Sequence, residues 1–431
     1  MYSKPDSMKC ADVVVRRVLT LLVVVIFFSA TTDDTPPPIK PLSPLVAHDK
    51  PVDWFFVFKF NADAFPGCSS EATEGTACMF GGKVQHYVTG AHSQQYAIAT
   101  SVNPTLVKGD ACIGTTLDDP LGATFAQVYL HNDFNYVIWN DQFKGHPDVE
   151  KPQSWAHSKG MLAWDRNGDG FFLQVTTPSW PASGSAKYPR KVDGNTLGCV
   201  DDNNVMFSQH FFCLRINKAD LLTILNACIN ASVVTDPGDK SIVKNGGPPD
   251  VQALVKKLNK LSPSTKVFKA KLSSNVVVIS KPHGIKAAPW QVVSASLDAV
   301  PLRVASWWQR NKVCSTTANT AITCWPADLN KPGPVQIATT GKFDGKIFGL
   351  WGGHGGKGNH AKIGVSMNSP KKYSIFGDMN QEGTLLSDSR NCAVSQNPRG
   401  GMFFVVDNEK LHASVTALLA GDSGGTHNCD N

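Results

Sequence analysis

Two histidine and lysine pairs are the residues of this chain best suited to chemistry on an anion: His157-Ser158-Lys159 and His360-Ala361-Lys362. Side chains two apart on an extended segment leave the same face, so each pair sets an imidazole beside an ammonium. The imidazole can attack a centre or move a proton near neutrality, and the ammonium offsets negative charge. Spacing alone carries little weight, because with twelve histidines in a lysine-rich chain roughly one such match is expected by chance. His48-Asp49-Lys50 is a further match, at the edge of a proline-rich stretch with no strand returning after it. The other two pairs share one continuation: an apolar strand, a polar turn and a return strand. In the first copy these are Gly160 to Asp165 and then Phe171 to Val175; in the second, Ile363 to Ser366 and then Tyr373 to Asn380. Two copies of one plan imply an internal duplication.

The elements that must position these pairs read as strands mixed with a few helices. Asp53 to Phe60 is a largely apolar strand, and Tyr136 to Trp139 is another that runs into Asn140-Asp141-Gln142. Helical spacing marks Lys218 to Ile229 and Val251 to Leu261. In the latter Val251, Leu254, Val255, Leu258 and Leu261 form one stripe between Pro248-Pro249 and Pro263. A last helix, Asn408 to Ala420, is expected to be capped by Asp407 and stopped by Gly421. Residues 231–249, with Asp236-Pro237-Gly238 and Gly246-Gly247-Pro248-Pro249, mark a seam between a half at 47–230 and a half at 250–420, each with one pair. The mixture predicts a layered α/β body with mixed sheets.

Ahead of this body, Arg16-Arg17 precedes an apolar run, Val18 to Phe28, that ends in Ser29-Ala30. Eleven residues are too few to span a bilayer, so residues 1–30 read as a secretory signal peptide cleaved near Ala30, a signal anchor being the alternative. Its removal takes away Lys4, Lys9, Arg16 and Arg17 with Asp6 and Asp12, so the formal charge falls from +6 to +4. A mildly basic protein results, compatible with an anionic substrate. Residues 31–46 come next as a proline-rich linker. Ten cysteines remain after Cys10, at 68, 78, 112, 199, 213, 228, 314, 324, 392 and 429, with no C-x-x-C and no zinc spacing. Disulfides are the expectation, leaving no more than a residual free thiol. Asn230-Ala231-Ser232 is the one glycosylation sequon, and its use requires the same route.

Three other motifs are set aside. Gly421-Asp422-Ser423-Gly424-Gly425 spells the surroundings of a trypsin-like serine, but only six residues lie beyond it, so 421–431 reads as a flexible tail. Asp165-Arg166-Asn167-Gly168-Asp169-Gly170 opens like a calcium loop, yet its twelfth position is Thr176, and a tight hairpin turn is expected instead. Gly352 to Gly358 is rich in glycine but lacks the Walker pattern, and reads as a lead-in to His360.

Taken in order, Asp53-Trp54-Phe55-Phe56-Val57-Phe58-Lys59, His157-Ser158-Lys159-Gly160, Pro289-Trp290-Gln291-Val292-Val293, His360-Ala361-Lys362, Gly377-Asp378-Met379-Asn380 and Arg399-Gly400-Gly401 resemble deoxyribonuclease II, the acid endonuclease family related to phospholipase D. The resemblance spans roughly residues 50–415. It departs at Ala361-Lys362-Ile363, where a hydroxyl residue and an aromatic are expected, and in an insertion between Asn380 and Arg399. It implies a pseudo-twofold αβα sandwich of two phospholipase D-like repeats, with both pairs at one active site and DNA as substrate. Cleavage would leave a 3′-phosphate and a 5′-hydroxyl.

The chemistry suits the residues. One neutral imidazole attacks phosphorus, the other donates a proton to the departing oxygen, and Lys159 and Lys362 hold the phosphate where other nucleases use metal ions. No metal and no cofactor is expected. Asp378 or Asn380 would orient an imidazole or bind phosphate. Residue types do not distinguish the two histidines, with His157 preferred as nucleophile. The optimum is expected below neutrality and the destination outside the cell or in the lysosome, with no membrane span once the signal is removed. Two other functions fit the same scaffold: a relative without turnover that binds DNA or a partner, and a phosphodiesterase acting on phospholipid.

Overall fold

Trp54-Phe55-Phe56-Val57-Phe58-Lys59 is built from the aromatic and β-branched residues that favour extended backbone, and it forms β1 (Trp54–Lys59). Phe55, Phe56, Val57 and Phe58 are all fully buried, so both faces of this strand are covered. The computed structural model describes residues 41–61, 63–64, 95–109, 113, 118–129, 133–142, 154–178, 207–353, 357–387 and 391–426. The proposed signal peptide, linker residues 31–40, the tail beyond 426 and Cys68, Cys78, Cys112, Cys199 and Cys429 lie outside them.

Around β1 an eight-stranded sheet is assembled from β2 (Tyr96–Thr100), β3 (Val107–Lys108), β4 (Asn135–Asn140), β5 (Lys159–Trp164), β6 (Gly170–Val175), β7 (Gln209–Ile216) and β8 (Val243–Lys244). Its order is β3-β2-β1-β7-β6-β5-β4-β8, and every pairing is antiparallel. The second sheet has seven strands: β9 (Phe268–Lys271), β10 (Val277–Lys281), β11 (Leu302–Ala305), β12 (Val335–Ile337), β15 (Ile363–Ser366), β16 (Tyr373–Gly377) and β17 (Gly401–Asp407). Here the order is β12-β11-β15-β16-β17-β10-β9, mixed through one parallel pair, β11 with β12. A small hairpin, β13 (Thr340–Phe343) with β14 (Lys346–Gly349), stands apart. The protein is therefore α/β with mixed sheets and few helices.

The two sheets meet through aromatic rings. Phe56 of β1 stacks on Phe376 of β16 at 4.3 Å between centroids, Phe212 of β7 lies 4.7 Å from the same ring, and Phe172 of β6 stacks on Phe404 of β17 at 4.2 Å. Such pairs add about 0.5–1.5 kcal/mol each beyond the area they bury. Helices α1 (Pro120–Tyr129), α2 (Lys218–Ala231), α3 (Pro249–Val255), α4 (Pro289–Ser296) and α5 (Glu409–Leu418) complete the body. In α4, Trp290 and Val293 are buried with Ile279, Leu302 and Val304 of the second sheet.

Several sequence expectations are corrected. The second predicted helix is only α3, because Lys256 ends it; Leu258 is buried in the loop beyond and Leu261 is 45% exposed. The cap of α5 is Asn408 rather than Asp407, its side chain accepting from the Leu411 N–H. The expectation of nearly complete disulfide pairing fails: Cys213 and Cys228 are free thiols. Cys213 points into the core from β7, and Cys228 faces the Met402 sulfur at 3.9 Å from α2, so both behave as small apolar core residues. Cys324 is bonded to Cys392 and Cys314 is also disulfide-bonded.

The expected hairpin turn is present. Asp165 to Gly170 is a tight turn in which Asp165 Oδ1 accepts from the N–H groups of Asn167, Gly168 and Asp169. The described part of the expected flexible tail is instead tied down: residues 421–426 lie along β12, with Gly424 N–H donating to Ile337 O at 2.8 Å and Arg303 bonded to the Gly421 and Asp422 carbonyls and the Ser423 hydroxyl. The seam residues join the first sheet through β8 and through Thr235, whose hydroxyl donates to Ile138 O at 2.6 Å.

Candidate active site

Both histidine and lysine pairs stand at strand entrances. Lys159 opens β5 and Lys362 immediately precedes β15. Gly160 comes after the first pair because the Trp139 ring and the Leu173 carbonyl come within 2.5 and 2.7 Å of where a Cβ would lie. Each histidine is held by the sheet to which it does not belong. The His157 N–H donates to Gly400 O at 2.9 Å and its Nδ1 to Asp378 O at 2.6 Å, both acceptors belonging to the second sheet's loops. The His360 N–H donates to Ser208 O at 2.7 Å, its Nδ1 lies 3.2 Å from Gln209 Nε2, and its ring stacks on Phe207 at 4.5 Å and against Trp307 at 4.4 Å.

These contacts give the two rings opposite tautomers. A carbonyl can only accept, so His157 carries its proton on Nδ1 and presents a lone pair at Nε2. The His360 tautomer is set through a chain of partners. The His210 N–H donates to Thr176 Oγ1 at 2.9 Å, and with the hydroxyl proton directed to Gln209 Oε1 at 2.8 Å the Gln209 amide turns its N–H toward His360. His360 Nδ1 therefore accepts, and its proton sits on Nε2. His210 joins the network by the same logic: its Nδ1 accepts from the Lys362 N–H at 3.2 Å, and its Nε2 faces Gln174 Oε1 at 3.4 Å.

Lys159 donates to Asp141 Oδ1 at 2.5 Å, and Asp141 Oδ2 accepts from Arg399 Nη2 at 2.7 Å. Arg399 also donates to the Trp155 and Ala156 carbonyls. Lys362 Nζ donates to His360 O at 2.5 Å. The Asp378 carboxylate accepts from the Met402 N–H at 2.8 Å and faces the Ser158 hydroxyl, which accepts from Trp139 Nε1 at 2.9 Å. Asn380 is buried, and its Oδ1 has no partner among the described residues. Asn230, the predicted glycosylation residue, lies on α2 away from these groups, its Nδ2 donating to the Ser280 carbonyl at 3.0 Å and hydroxyl at 3.3 Å. Among the described residues no group of three His, Cys, Asp or Glu is placed to hold a metal ion.

Burial dominates the titration of this cluster. It pushes His157 and His360 well below the usual imidazole range, reinforced by Lys159 at the first and by Lys362 and Lys159 at the second, while Asp141 pulls His157 the other way. Burial also brings Lys362 down to about 7, aided by Lys159 and opposed by Asp141 and Asp378. Asp378 is raised by burial to about 7 against the Ser158 and Met402 hydrogen bonds. Asp141 goes the other way: burial works against its charge, and Lys159, His157 and Arg399 together outweigh burial and hold its carboxyl far below the usual range. Below about 7, then, Lys362 is charged and Asp378 is neutral, while Asp141 stays ionised. Above it Lys362 loses its proton and Asp378 ionises, so the cluster is two charges less positive.

Residue spacing offers no reason to single out Asp141, Gln209 or His210 as site residues, and it leaves Arg399 without a role. Only the polar run Asn140-Asp141-Gln142 after an apolar strand hints at the first.

Within this mixed-sheet α/β body both histidine and lysine pairs, with Asp141, Gln209, Asp378 and Arg399, come together in one buried, hydrogen-bonded cluster. The family model for deoxyribonuclease II matches residues 43–420, and the chain belongs to the deoxyribonuclease II family, a group of deoxyribonuclease-like enzymes. It is similar to plancitoxin-1 of Acanthaster planci, 24% identical over 387 residues that cover 86% of this chain and 89% of that protein. It is also similar to deoxyribonuclease-2-alpha of Bos taurus, 27% identical over 158 residues, or 35% of this chain and 37% of that one. Among the described residues no helix is long and apolar enough to cross a membrane.

Proposed function

We propose that the chain is a secreted or lysosomal, metal-independent acid endodeoxyribonuclease that cuts DNA to 3′-phosphate and 5′-hydroxyl ends. The observation that carries this is the pairing of a bare Nε2 on His157 with a protonated Nε2 on His360. His157 Nε2 attacks phosphorus and the P–O5′ bond breaks, the departing oxygen taking the Nε2 proton of His360. Water then attacks the phosphohistidine, returns a proton to His360 and frees His157. For its acid role His360 must first be protonated on both nitrogens. The Gln209 amide can turn its oxygen to Nδ1 when that happens, the Thr176 hydroxyl swinging to His210 O at 3.4 Å. Phosphate negative charge in the cleft favours that protonation against burial.

Lys159, Lys362 and Arg399 hold the phosphoryl oxygens, with Asp378 orienting His157 through its carbonyl and the Asn380 amide facing substrate. The two halves at 47–230 and 250–420 are pseudo-twofold copies. In support, β1-β7-β6-β5-β4 and β10-β17-β16-β15-β11 repeat one spatial order, and α2 and α5 come after β7 and β17 alike.

A plasmid-nicking assay from pH 4.5 to 8 in EDTA tests the reading. Cleavage is expected to persist in chelator and to peak on the acid side. His157→Ala and His360→Ala should each lose at least about a hundredfold, and the double variant little more, because the pair acts as one unit. Chelator abolishing cleavage with Mg²⁺ restoring it, or either variant keeping above about a tenth of the rate, contradicts the mechanism.

A further inference from the structure

Two lysines outside the histidine and lysine pairs are buried about as deeply as Lys159 and Lys362 are. Lys59 ends β1 at 3% exposure, and Lys281 ends β10 at 0%. An ammonium stripped of water is destabilising unless its protons find acceptors. Lys281 places its Nζ 2.6 Å from Ile285 O and 2.7 Å from both Asn397 O and Arg399 O, so all three protons are taken. Burial pushes this ammonium down, and the three carbonyl dipoles hold its charge in place. Lys59 donates to Phe207 O at 2.5 Å and Phe60 O at 3.1 Å.

The two placements match residue for residue. Lys59 is the register partner of Gln209, the first residue of β7, and Lys281 is the partner of Gly401, the first residue of β17. Each reaches the carbonyl two residues ahead of that strand, Phe207 or Arg399. The residue in between, Ser208 or Gly400, offers its carbonyl to the N–H of the histidine from the other half: Ser208 to His360, Gly400 to His157. Tethering a carbonyl on one side of a peptide unit fixes the direction of the next, since each residue has only two soft torsions. Arg399, which bonds Asp141, sits on the loop that Lys281 ties down.

The geometry points to Lys59 and Lys281 as a matched pair of positioning residues, each an ammonium that pins its own half's loop so that the opposite half's histidine hangs in register. Lys281 sets His157 and the Arg399–Asp141 pair, and Lys59 sets His360. Neither touches substrate. The groups that otherwise act on His360 are Lys362, Lys159 and His157, with Lys59 contributing its own charge; those on His157 are Lys159, Asp141, Arg399 and Lys362.

The test uses Lys59→Met and Lys281→Met in the full chain, read by ¹⁵N titration of the imidazoles and by cleavage kinetics. Lys281→Met should disturb the Nδ1–H tautomer of His157 and leave the His360 midpoint within about 0.3 unit. Lys59→Met should raise the His360 midpoint, as loss of a nearby positive charge requires, and leave His157 alone. kcat should fall at least about tenfold in each with KM within about twofold, because a misplaced group costs turnover rather than binding. The kinetic arm rests on the proposed cleavage; the imidazole arm does not, so an inactive protein with the crossed imidazole response upholds the positioning and rejects the function. Unchanged imidazoles in both folded variants, or the same response of both histidines to either change, overturns the positioning. Should a variant fail to fold, the wild type decides: the Nζ protons of Lys59 and Lys281 should exchange at pH 6 at least about a hundredfold more slowly than those of surface lysines, as buried hydrogen-bonded groups do, and exchange at the surface rate refutes the pinning.

Discussion

Asp141→Asn should be among the most damaging isosteric changes in the protein, and its size can be worked from three burial figures. Asp141 is 2% exposed, the Lys159 it holds at 2.5 Å is 3% exposed, and the Arg399 it holds at 2.7 Å is 15% exposed. Removing one partner of a buried ion pair typically destabilises by about 3–5 kcal/mol, because the remaining charge is stranded. Arg399 keeps the Trp155 and Ala156 carbonyls and some water, so the penalty concentrates on Lys159 and should fall near about 3 kcal/mol. The pH dependence has a definite sign. The Asp141 carboxyl is depressed in the folded state, so its contribution is fully present above the unfolded value of 3.8 and is lost only as pH falls through the folded one. The gap between wild type and variant should therefore be level from pH 5 to pH 7 and close only in strong acid. Urea denaturation monitored by tryptophan fluorescence measures it as a shift of midpoint at constant slope. A stranded Lys159 should also bind a phosphodiester oligonucleotide more tightly, partly restoring the midpoint when DNA is saturating. A loss below about 1 kcal/mol, the range of an exposed pair, would refute the claim that Asp141 is the buried counter-charge of Lys159 and Arg399.

Asp378 gives the opposite sign. Its carboxyl is raised to about 7 by burial, so the stability it contributes is present below 3.8, declines as pH rises and is gone above about 7. Asp378→Asn should accordingly gain on the wild type between pH 4 and 7 in the same urea assay, with a constant gap above that; a gap independent of pH would count against the assignment. The same variant should lose part of the alkaline fall in cleavage rate, since one of the two charge changes that make the cluster less positive above about 7 is gone, and a pH profile of nicking tests this. Cys213 and Cys228 should resist alkylation in the native chain, where burial raises both thiols, and should be labelled after unfolding without reductant. Peptide mapping reads the result, and labelling of both in the folded protein would contradict their place in the core.

Local pattern determined a good deal. The alternation and composition of Trp54 to Lys59, Tyr136 to Trp139 and the strands after each lysine were enough to place β1, β4, β5 and β15, because half-buried and fully buried strands leave a mark in consecutive residues. The turn at Asp165 to Gly170 was legible for the same reason: its hydrogen bonds run from one side chain to backbone groups two to four residues away. Both histidine and lysine pairs could be found by spacing together with the apolar strand that follows each lysine, although neither histidine lies in a strand. What spacing could not supply was the partner of each group. Asp141 lies 18 residues from Lys159 and 258 from Arg399, and Gln209 lies 151 from His360. The tautomers, the neutral Asp378 and the charge of the cluster depend on those distant partners and on burial. The cysteines show the limit most plainly. An even count suggested pairing, but Cys213 lies on a central strand of one sheet and Cys228 on a helix, each surrounded by apolar core atoms. A thiol's fate depends on what the fold brings within reach of its sulfur, and only tertiary structure decides that.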